Sequence, residues 1–358
     1  MRRPRVLVTS GDPGGVGPEL ILRALADPGI AGFADFTVVG RPADFHRDAE
    51  ALGLPLPSIL PASGPPGVPA SDPPGALVTD PPGVPATGPP RTPASDPPEA
   101  LVTDPPGVPA SGPPGVPVGR PSAEGARAAV EAVAAAARLM ARQDADALVT
   151  APVSKEALRL GGYRWPGQTE MLADLCAAGD LRVLLMAGPL RVVHVTAHRS
   201  LRSAIDGVTR ASVLRTIELA DGIGRRLLGR PPRVAVAGLN PHAGEHGILG
   251  DEDERAIRPA VADAVSRGID ASGPLSADTL FPRAAAGGAD LVVAMYHDQG
   301  HIPVKVSGFD EGVNVTLGLP FPRTSVDHGT AFDIAGRGVA RWQSMAAAIR
   351  LAAKLAAT

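Results

Sequence analysis

The chain has 358 residues, 44% of them hydrophobic and 20% charged, and a length that suits two α/β domains rather than one small core. Its formal net charge of -3 at pH 7 provides no basic field for a phosphate backbone, which disfavours nucleic acid as a partner. No run approaches the roughly 18 apolar residues of a membrane span, which disfavours a membrane as a partner.

The N-terminal segment predicts a βαβ unit. Residues 5–9 and 36–40 have the pattern of strands, and they flank a predicted helix over about 18–26. In the loop between them, Gly14, Gly15 and Gly17 are the candidate cofactor-binding residues, because glycine lets the backbone approach a ligand closely. The glycines do not follow the G-x-G-x-x-G spacing, so a dinucleotide site of the Rossmann type is disfavoured.

From about residue 62 to residue 117 the composition changes abruptly. The run 70–85 returns as 94–109 with one substitution. Paired prolines cannot continue a helix or donate to a sheet, so we predict a disordered Pro-rich insertion. The insertion is either a docking tract for proline-reading domains or a tandem expansion in a surface loop, and the near-identical copies favour the expansion.

Beyond the insertion, predicted strands and helices alternate. They are a helix over about 123–142, a strand over 147–150, a hairpin around residues 188–189 that ends at residue 198, helices over about 212–228 and 254–265, and a closing helix from about 344. This alternation predicts an α/β fold with a mostly parallel or mixed sheet. The single cysteine, Cys176, lacks a thiol partner, and the apolar stretch after the basic start is too short for a signal peptide, so we expect a soluble cytoplasmic protein.

Three histidines stand at or just beyond the ends of short apolar runs: His198, His242 and His297. Ligands bind beyond the carboxyl ends of strands in open α/β sheets, so these imidazoles could converge on one divalent metal. A lone histidine is more often a surface or hydrogen-bonded core residue, but the repetition favours a metal. Glu245 and Asp298 could orient the imidazoles. Other histidines are rival ligands: His246, His301 and His328.

A second cluster further along the chain suits an anionic substrate. Lys305, Asn314 and Arg323 supply the donors that phosphate and carboxylate groups require, although Arg323 could equally form an ordinary ion pair. Asp278 could accept a proton or position a substrate group, or it could cap a helix. We take Asp278 and Lys305 as the candidate catalytic residues. Lysine is rare in this chain, and its charge at a buried site cannot be replaced by arginine.

Six blocks of the sequence resemble the 4-hydroxythreonine-4-phosphate dehydrogenases. They are residues 11–19, 150–155, 240–245, 277–281, 296–300 and 323–330. The resemblance covers essentially everything except the Pro-rich insertion. It implies a two-domain α/β fold like that of isocitrate and isopropylmalate dehydrogenases, with a central cleft. On this basis residues 1–61, 118–150 and 325–358 form the first domain, and residues 151–324 form the second, which carries the site and the dimer interface.

The resemblance also implies an activity. Enzymes of this family oxidise the secondary alcohol of a small phosphorylated substrate with NAD or NADP, and the product loses carbon dioxide on the way to pyridoxal 5'-phosphate. One divalent metal is expected, which could be zinc, cobalt, magnesium, manganese or nickel. The three histidines match its ligands in a homodimer, with His297 expected from the partner subunit, and Lys305, Asn314 and Arg323 match substrate-binding positions.

One substrate-binding stretch departs from the family. The family usually reads Gly-His-Thr-Glu, whereas this chain has Gln168 before the retained Thr169. Glutamine can form hydrogen bonds but cannot carry an imidazolium charge. The substrate is therefore either 4-hydroxythreonine 4-phosphate or a sugar acid phosphate such as D-threonate or D-erythronate 4-phosphate, and residues 300–305 are closer to enzymes of the second kind. An alternative of another class is a non-catalytic scaffold that uses the Pro-rich repeats.

Overall fold

The computed structural model describes residues 2–62, 116–308 and 310–358. The predicted Pro-rich insertion therefore lies outside the described residues, apart from its first and last few positions. The described strands are β1 (Arg5–Thr9), β2 (Asp35–Gly40), β3 (Ile59–Pro61), β4 (Ala147–Thr150), β5 (Arg182–Ala187), β6 (Leu190–His194), β7 (Val234–Ala237), β8 (Ala271–Leu275), β9 (Leu291–Ala294), β10 (Val313–Leu317) and β11 (Arg323–Val326).

Helices cover this sheet. The α-helices are α1 (Gly17–Ala26), α2 (Pro28–Ala31), α3 (Pro42–Leu52), α4 (Ala123–Ala141), α5 (Lys155–Leu160), α6 (Gln168–Leu175), α7 (Leu201–Asp206), α8 (Arg210–Leu228), α9 (Arg258–Ser266), α10 (Ala277–Ala285), α11 (His297–Ser307) and α12 (Gln343–Ala356). None of the described helices has the length and apolar character that a membrane crossing requires.

All eleven strands belong to one mixed sheet in the order β3-β2-β1-β4-β11-β10-β5-β6-β9-β7-β8. The strands are parallel on both flanks, while β10 is antiparallel to β11 and β5, and β5 forms an antiparallel hairpin with β6. Strands β4, β7 and β9 are buried throughout, as expected where helices cover both faces of parallel strands. The predicted α/β fold class with a mixed sheet is confirmed.

Local sequence signals explain the helix boundaries well. Helix α8 begins where the side chain of Thr209 accepts a hydrogen bond from the backbone N–H of Ser212, and Ser212 returns the bond in a capping box. A cap of this kind stabilises a helix by about 1 kcal/mol. The helix ends at Gly229, whose left-handed backbone (φ 68°) is readily adopted only by glycine. Its buried face carries Val213, Thr216, Ile217, Ala220, Ile223, Gly224 and Leu227.

The sheet places three strand ends side by side. Strand β9 lies between β6 and β7, and it is parallel to both, so the three chains leave the sheet at the same edge. The predicted hairpin exists, but β6 ends at His194 and the chain bends before it reaches His198. The predicted domain division stays a prediction, and its boundary between residues 324 and 325 falls inside β11.

Candidate functional site

Two of the three predicted metal ligands lie together. The ring centroids of His198 and His297 are 5.6 Å apart in the same chain. Nδ1 of His297 is 2.7 Å from Oδ1 of Asp298, which leaves Nε2 available for an ion. Partial burial and the nearby Lys155 lower the pKa of His198, so its ring is neutral, the form that binds metals. This pair of imidazoles fits a divalent cation.

The third predicted ligand, His242, stands apart from this pair. Its Nδ1 is 2.7 Å from Oε1 of Glu245, which raises the pKa of the ring, and 61% of its side chain is exposed. Among the described residues, no three His, Cys, Asp or Glu side chains are gathered closely enough to hold a metal ion. The single chain therefore presents two of the predicted ligands together and the third on an exposed turn.

The turn that carries His242 has an unusual backbone. Residues 242–246 all have positive φ angles, from 42° to 76°. For residues other than glycine this conformation costs about 1–2 kcal/mol each, so other contacts must hold the turn. The buried carboxylate of Asp253 accepts hydrogen bonds from the backbone N–H groups of Leu239 (2.9 Å) and Asn240 (3.1 Å) and from the Asn240 amide (3.0 Å). Sequence reasoning missed Asp253, which fixes the base of the turn.

A buried cation, the guanidinium of Arg323, lies at the junction of β4, β10 and β11. The buried guanidinium of Arg323 donates from Nη1 to Thr316 Oγ1 (2.7 Å), from Nε (3.1 Å) and Nη2 (2.6 Å) to Thr150 Oγ1, and from Nη2 to Gln168 Oε1 (3.0 Å). Burial lowers its pKa to about 10. Every one of these partners is neutral, so among the described residues Arg323 does not form the ordinary ion pair that was its alternative interpretation.

Two further polar side chains, Gln168 and Asn314, have atoms that call for a ligand. Within the described parts of the chain, Nε2 of Gln168 and Oδ1 of Asn314 are buried without a hydrogen-bond partner. Buried polar groups are almost always paired, so such atoms call for a partner that the protein does not supply. Asn314 lies on β10, next to Ser325 of β11 in the sheet. Nε2 of Gln168, whose Oε1 accepts from Arg323, is a donor that could bind an anion beside the guanidinium. Oδ1 of Asn314 is an acceptor, so it calls for a donor.

The two candidate catalytic residues have different surroundings. Lys305 forms a salt bridge with the carboxylate of Asp327 and donates to its backbone oxygen at 2.9 Å. Asp278 is exposed at the start of α10, where its Oδ1 accepts from Ser276 Oγ (2.6 Å) and Thr279 N (2.8 Å), and the Ser276 hydroxyl lowers the pKa of its carboxyl. The N-cap of α10 is Ser276 and carries no side-chain cap, so Asp278 is an acidic residue of the first turn and not the cap of the helix. Its ionised carboxylate remains available to a substrate.

An open cavity of about 650 Å³ lies beside the paired histidines. Its walls include Thr169, Glu170, Thr196 and His198. Glu170 acts electrostatically on both His198 and Arg323, so one carboxylate influences both a predicted metal ligand and the buried arginine. The predicted substrate-binding residues Gln168 and Thr169, at the start of α6, therefore lie between the two.

The N-terminal glycines are explained by packing. A side chain at Gly15 would collide with the backbone of Thr330, and Val16 N donates to Thr330 O at 2.9 Å. Likewise a side chain at Gly14 would meet the backbone of Pro117, and one at Gly17 would collide with the backbone of Ser10. The close approach expected from these glycines is an approach to the protein's own backbone, so their prediction as cofactor-binding residues gains no support.

Several residues of the site were not anticipated from the sequence. They are Thr150, Thr316, Glu170, Asp327 and His194. The two threonines contact Arg323 because β11 pairs with β4 on one side and β10 on the other. No local sequence signal predicts such a strand pairing. A polar residue directly after a strand is a signal for a site residue, and it could have identified Asp327, which follows β11.

Comparison with known proteins gives a consistent result. The family described as pyridoxal phosphate biosynthetic protein PdxA matches residues 94–352. The chain is 43% identical to a 4-hydroxythreonine-4-phosphate dehydrogenase of Geobacter metallireducens, over 99% of this chain and 96% of that protein. It is 41% identical to a D-threonate 4-phosphate dehydrogenase of Salmonella typhimurium, over 99% and 100%. The crystal structure of a 4-hydroxythreonine-4-phosphate dehydrogenase from Klebsiella pneumoniae matches with a TM-score of 0.75 and 36% identity, over 99% of both chains.

Proposed function

The chain belongs to the family of the pyridoxal phosphate biosynthetic protein PdxA and is a dehydrogenase, and from this premise we propose that it oxidises and decarboxylates a phosphorylated hydroxy acid. The family implies a nicotinamide nucleotide and a divalent metal. The observation that carries the choice of substrate class is the buried Arg323, whose described partners are all neutral. A buried cation of this kind is suited to an anionic group of the substrate.

The proposed metal ligands are His198, His242 and His297. The rings of His198 and His297 lie side by side in one chain. We propose that one of the three ligands comes from the partner subunit, and His297 is the residue that the family resemblance indicates for this role. The proposed assembly is thus a homodimer in which each site draws on both chains.

The bound groups and the protein divide the chemistry. A divalent ion would act as a Lewis acid on the substrate oxygen, and NAD or NADP would supply the redox chemistry. Three imidazole ligands would leave coordination positions open for the substrate, as a catalytic site requires.

The residues of the chain align the substrate and handle protons. Arg323 holds an anionic group, with Gln168 and Asn314 completing its hydrogen bonds. Lys305 is held by Asp327 in a position to bind an anion or to donate a proton from Nζ. Asp278 is ionised, and it would accept a proton or hold a positively charged amine.

We propose 4-hydroxythreonine 4-phosphate as the substrate, with D-threonate or D-erythronate 4-phosphate as the second candidate. Gln168 is the observation that favours the second candidate, because its amide is buried and neutral where the family usually has a histidine. The sugar acids lack the amine of the first substrate, and this is the difference that a substrate panel tests.

The experiment is a substrate panel with the purified full-length protein. Each phosphorylated acid is offered with NAD and with NADP in the presence of zinc, cobalt, magnesium, manganese or nickel, and the absorbance of the reduced nucleotide is followed. We expect turnover of one acid to exceed the other. Failure of every combination would overturn the proposed activity and leave the scaffold interpretation, which the dehydrogenase family disfavours. The single free cysteine supports our proposal of a cytoplasmic location.

A further inference from the structure

His194 is a buried histidine outside the predicted ligand set, with only 1% of its surface exposed. It is the last residue of β6, and its ring makes two contacts. Nδ1 is 3.2 Å from the backbone oxygen of Val183, and Nε2 is 3.0 Å from Nδ1 of His301. A carbonyl oxygen can only accept, so Nδ1 of His194 carries the proton and Nε2 is an acceptor.

The same reasoning fixes the tautomer of His301. Its Nδ1 lies 3.0 Å from Nε2 of His194 and 3.2 Å from the backbone oxygen of His297, and both of these atoms are acceptors. Nδ1 of His301 therefore carries the proton, and its Nε2 is bare.

The His194–His301 pair contacts the proposed metal ligand His297. The His301 ring stacks on the His297 ring, with centroids 3.7 Å apart and an angle of 11° between the planes. Gly300 lies between His297 and His301 in the sequence, and any side chain at this position would collide with Nε2 of His194. The glycine thus lets α11 approach β6 closely enough for His194 and His301 to meet, which is independent evidence that this contact is built into the fold.

We propose that His194 is a positioning residue, which holds the tautomer and ring orientation of His301 so that the stacked His301 ring keeps His297 in place as a metal ligand. The inference rests on the proposed role of His297. Because His297, His301 and Lys305 follow one another at four-residue spacing, they share one face of α11. The bare Nε2 of His301 is then an acceptor between the ion and Lys305, suited to a substrate hydroxyl or amine.

The first test is spectroscopic and uses the metal-free full-length protein with ¹⁵N-labelled histidine. The ring nitrogen shifts report which nitrogen carries the proton, and the His301 signals are assigned by their loss in His301→Gln. We expect the proton on Nδ1 in the wild type and in His194→Gln. A proton on Nε2 of His301 in the wild type would overturn the proposal without any need for a variant at residue 194.

The second test measures zinc affinity by calorimetric titration of the metal-free protein. His194→Leu removes both hydrogen bonds, and we expect it to weaken zinc binding about 10- to 100-fold, the usual effect of losing a group that orients a ligand. His194→Gln should restore most of the affinity, because its amide can donate to Val183 and accept from His301. His46→Leu, on the exposed side of α3, is the control that should bind as the wild type does.

Each outcome decides the question. Wild-type affinity in a folded His194→Leu protein, or equal weakening in the leucine and glutamine variants, would show that the hydrogen bonds do not position the ligand. If His194→Leu does not fold, the His301 tautomer and the zinc affinity of His194→Gln still decide. A wild-type protein that binds no zinc would overturn the proposed metal site, while the tautomer measurement judges the His194–His301 contact separately.

Discussion

Replacement of Arg323 by lysine tests the proposed anion site. The guanidinium makes four hydrogen bonds to Thr150, Thr316 and Gln168, whereas an ammonium is compact and cannot contact an anion with two parallel N–H groups. A hydrogen bond to a charged group contributes about 1.5–3 kcal/mol. Since about 1.4 kcal/mol corresponds to a factor of ten, losing one such bond to the substrate should raise KM about 10- to 150-fold. A contact already made in the ground state changes KM more than kcat.

The assay is the initial rate of nucleotide reduction as a function of substrate concentration. A matched control is Arg5→Lys, which lies at the amino end of β1, away from Thr150 at the opposite end of the neighbouring strand β4. Its partner is Asp146, and exposed pairs of this kind contribute little, so its KM should stay within about twofold of the wild type. An Arg323→Lys protein that melts like the wild type and keeps its KM for both substrates would refute the proposed anion site.

Four other changes have defined outcomes. Lys305→Gln should lower kcat about 10²- to 10⁴-fold if Nζ donates a proton, whereas Lys354→Gln on α12 should not, and the pH profile of kcat is the measurement. Removal of divalent metal with a chelator should abolish turnover, and adding metal back should restore it. The measurements are the rate of nucleotide reduction and the metal content of the same samples. Asp290 accepts hydrogen bonds from Arg230 and Arg233, which lower the pKa of its carboxyl, so its stabilisation is present above about pH 4 and is lost as the pH falls through the folded value. Asp290→Asn should therefore lower the melting temperature by about 2–4 °C at neutral pH and by less in acid, in thermal melts across that range. Deletion of residues 63–115 should leave kcat within about twofold of the wild type, because the entropic cost of closing a loop depends only weakly on its length, and a large loss would favour a role for the repeats.

The parts of the fold that follow from local sequence were predictable, and the parts that depend on long-range pairing were not. The periodicity around β1, α4 and α8 predicted those elements within a few residues. Strands β10 and β11 were missed, because an alternation as short as residues 313–317 is recognisable as a strand only beside its neighbours. The left-handed turn at residues 242–246 could not be predicted either, since five successive positive φ angles have no propensity signal and depend on contacts with residues further along the chain.

The same distinction applies to the site. Residue type and position after a strand were enough to single out His198, His242 and His297 as candidates, and the donor chemistry of its side chain singled out Arg323. What they contact was not predictable, because the neutral environment of Arg323 arises from the pairing of three strands. The glycine loop shows that close approach alone does not identify a ligand site. Gly15 was expected to face a ligand because it permits close approach, and the atom it approaches in the structure belongs to Thr330. Its role in cofactor binding stays a prediction.

Helix α11 links the proposed metal ligand His297 to the candidate catalytic residue Lys305. Its first residue is the proposed ligand His297, and its last turn carries Lys305, which contacts Asp327 just beyond β11. The helix packs on β5, β6 and β9, so it crosses strands that separate His198 and His297 from Arg323. Eight residues of helix separate the two Cα atoms by about 12 Å, and a helix held against a sheet cannot change that length. The distance between His297 and Lys305 is therefore fixed by the fold.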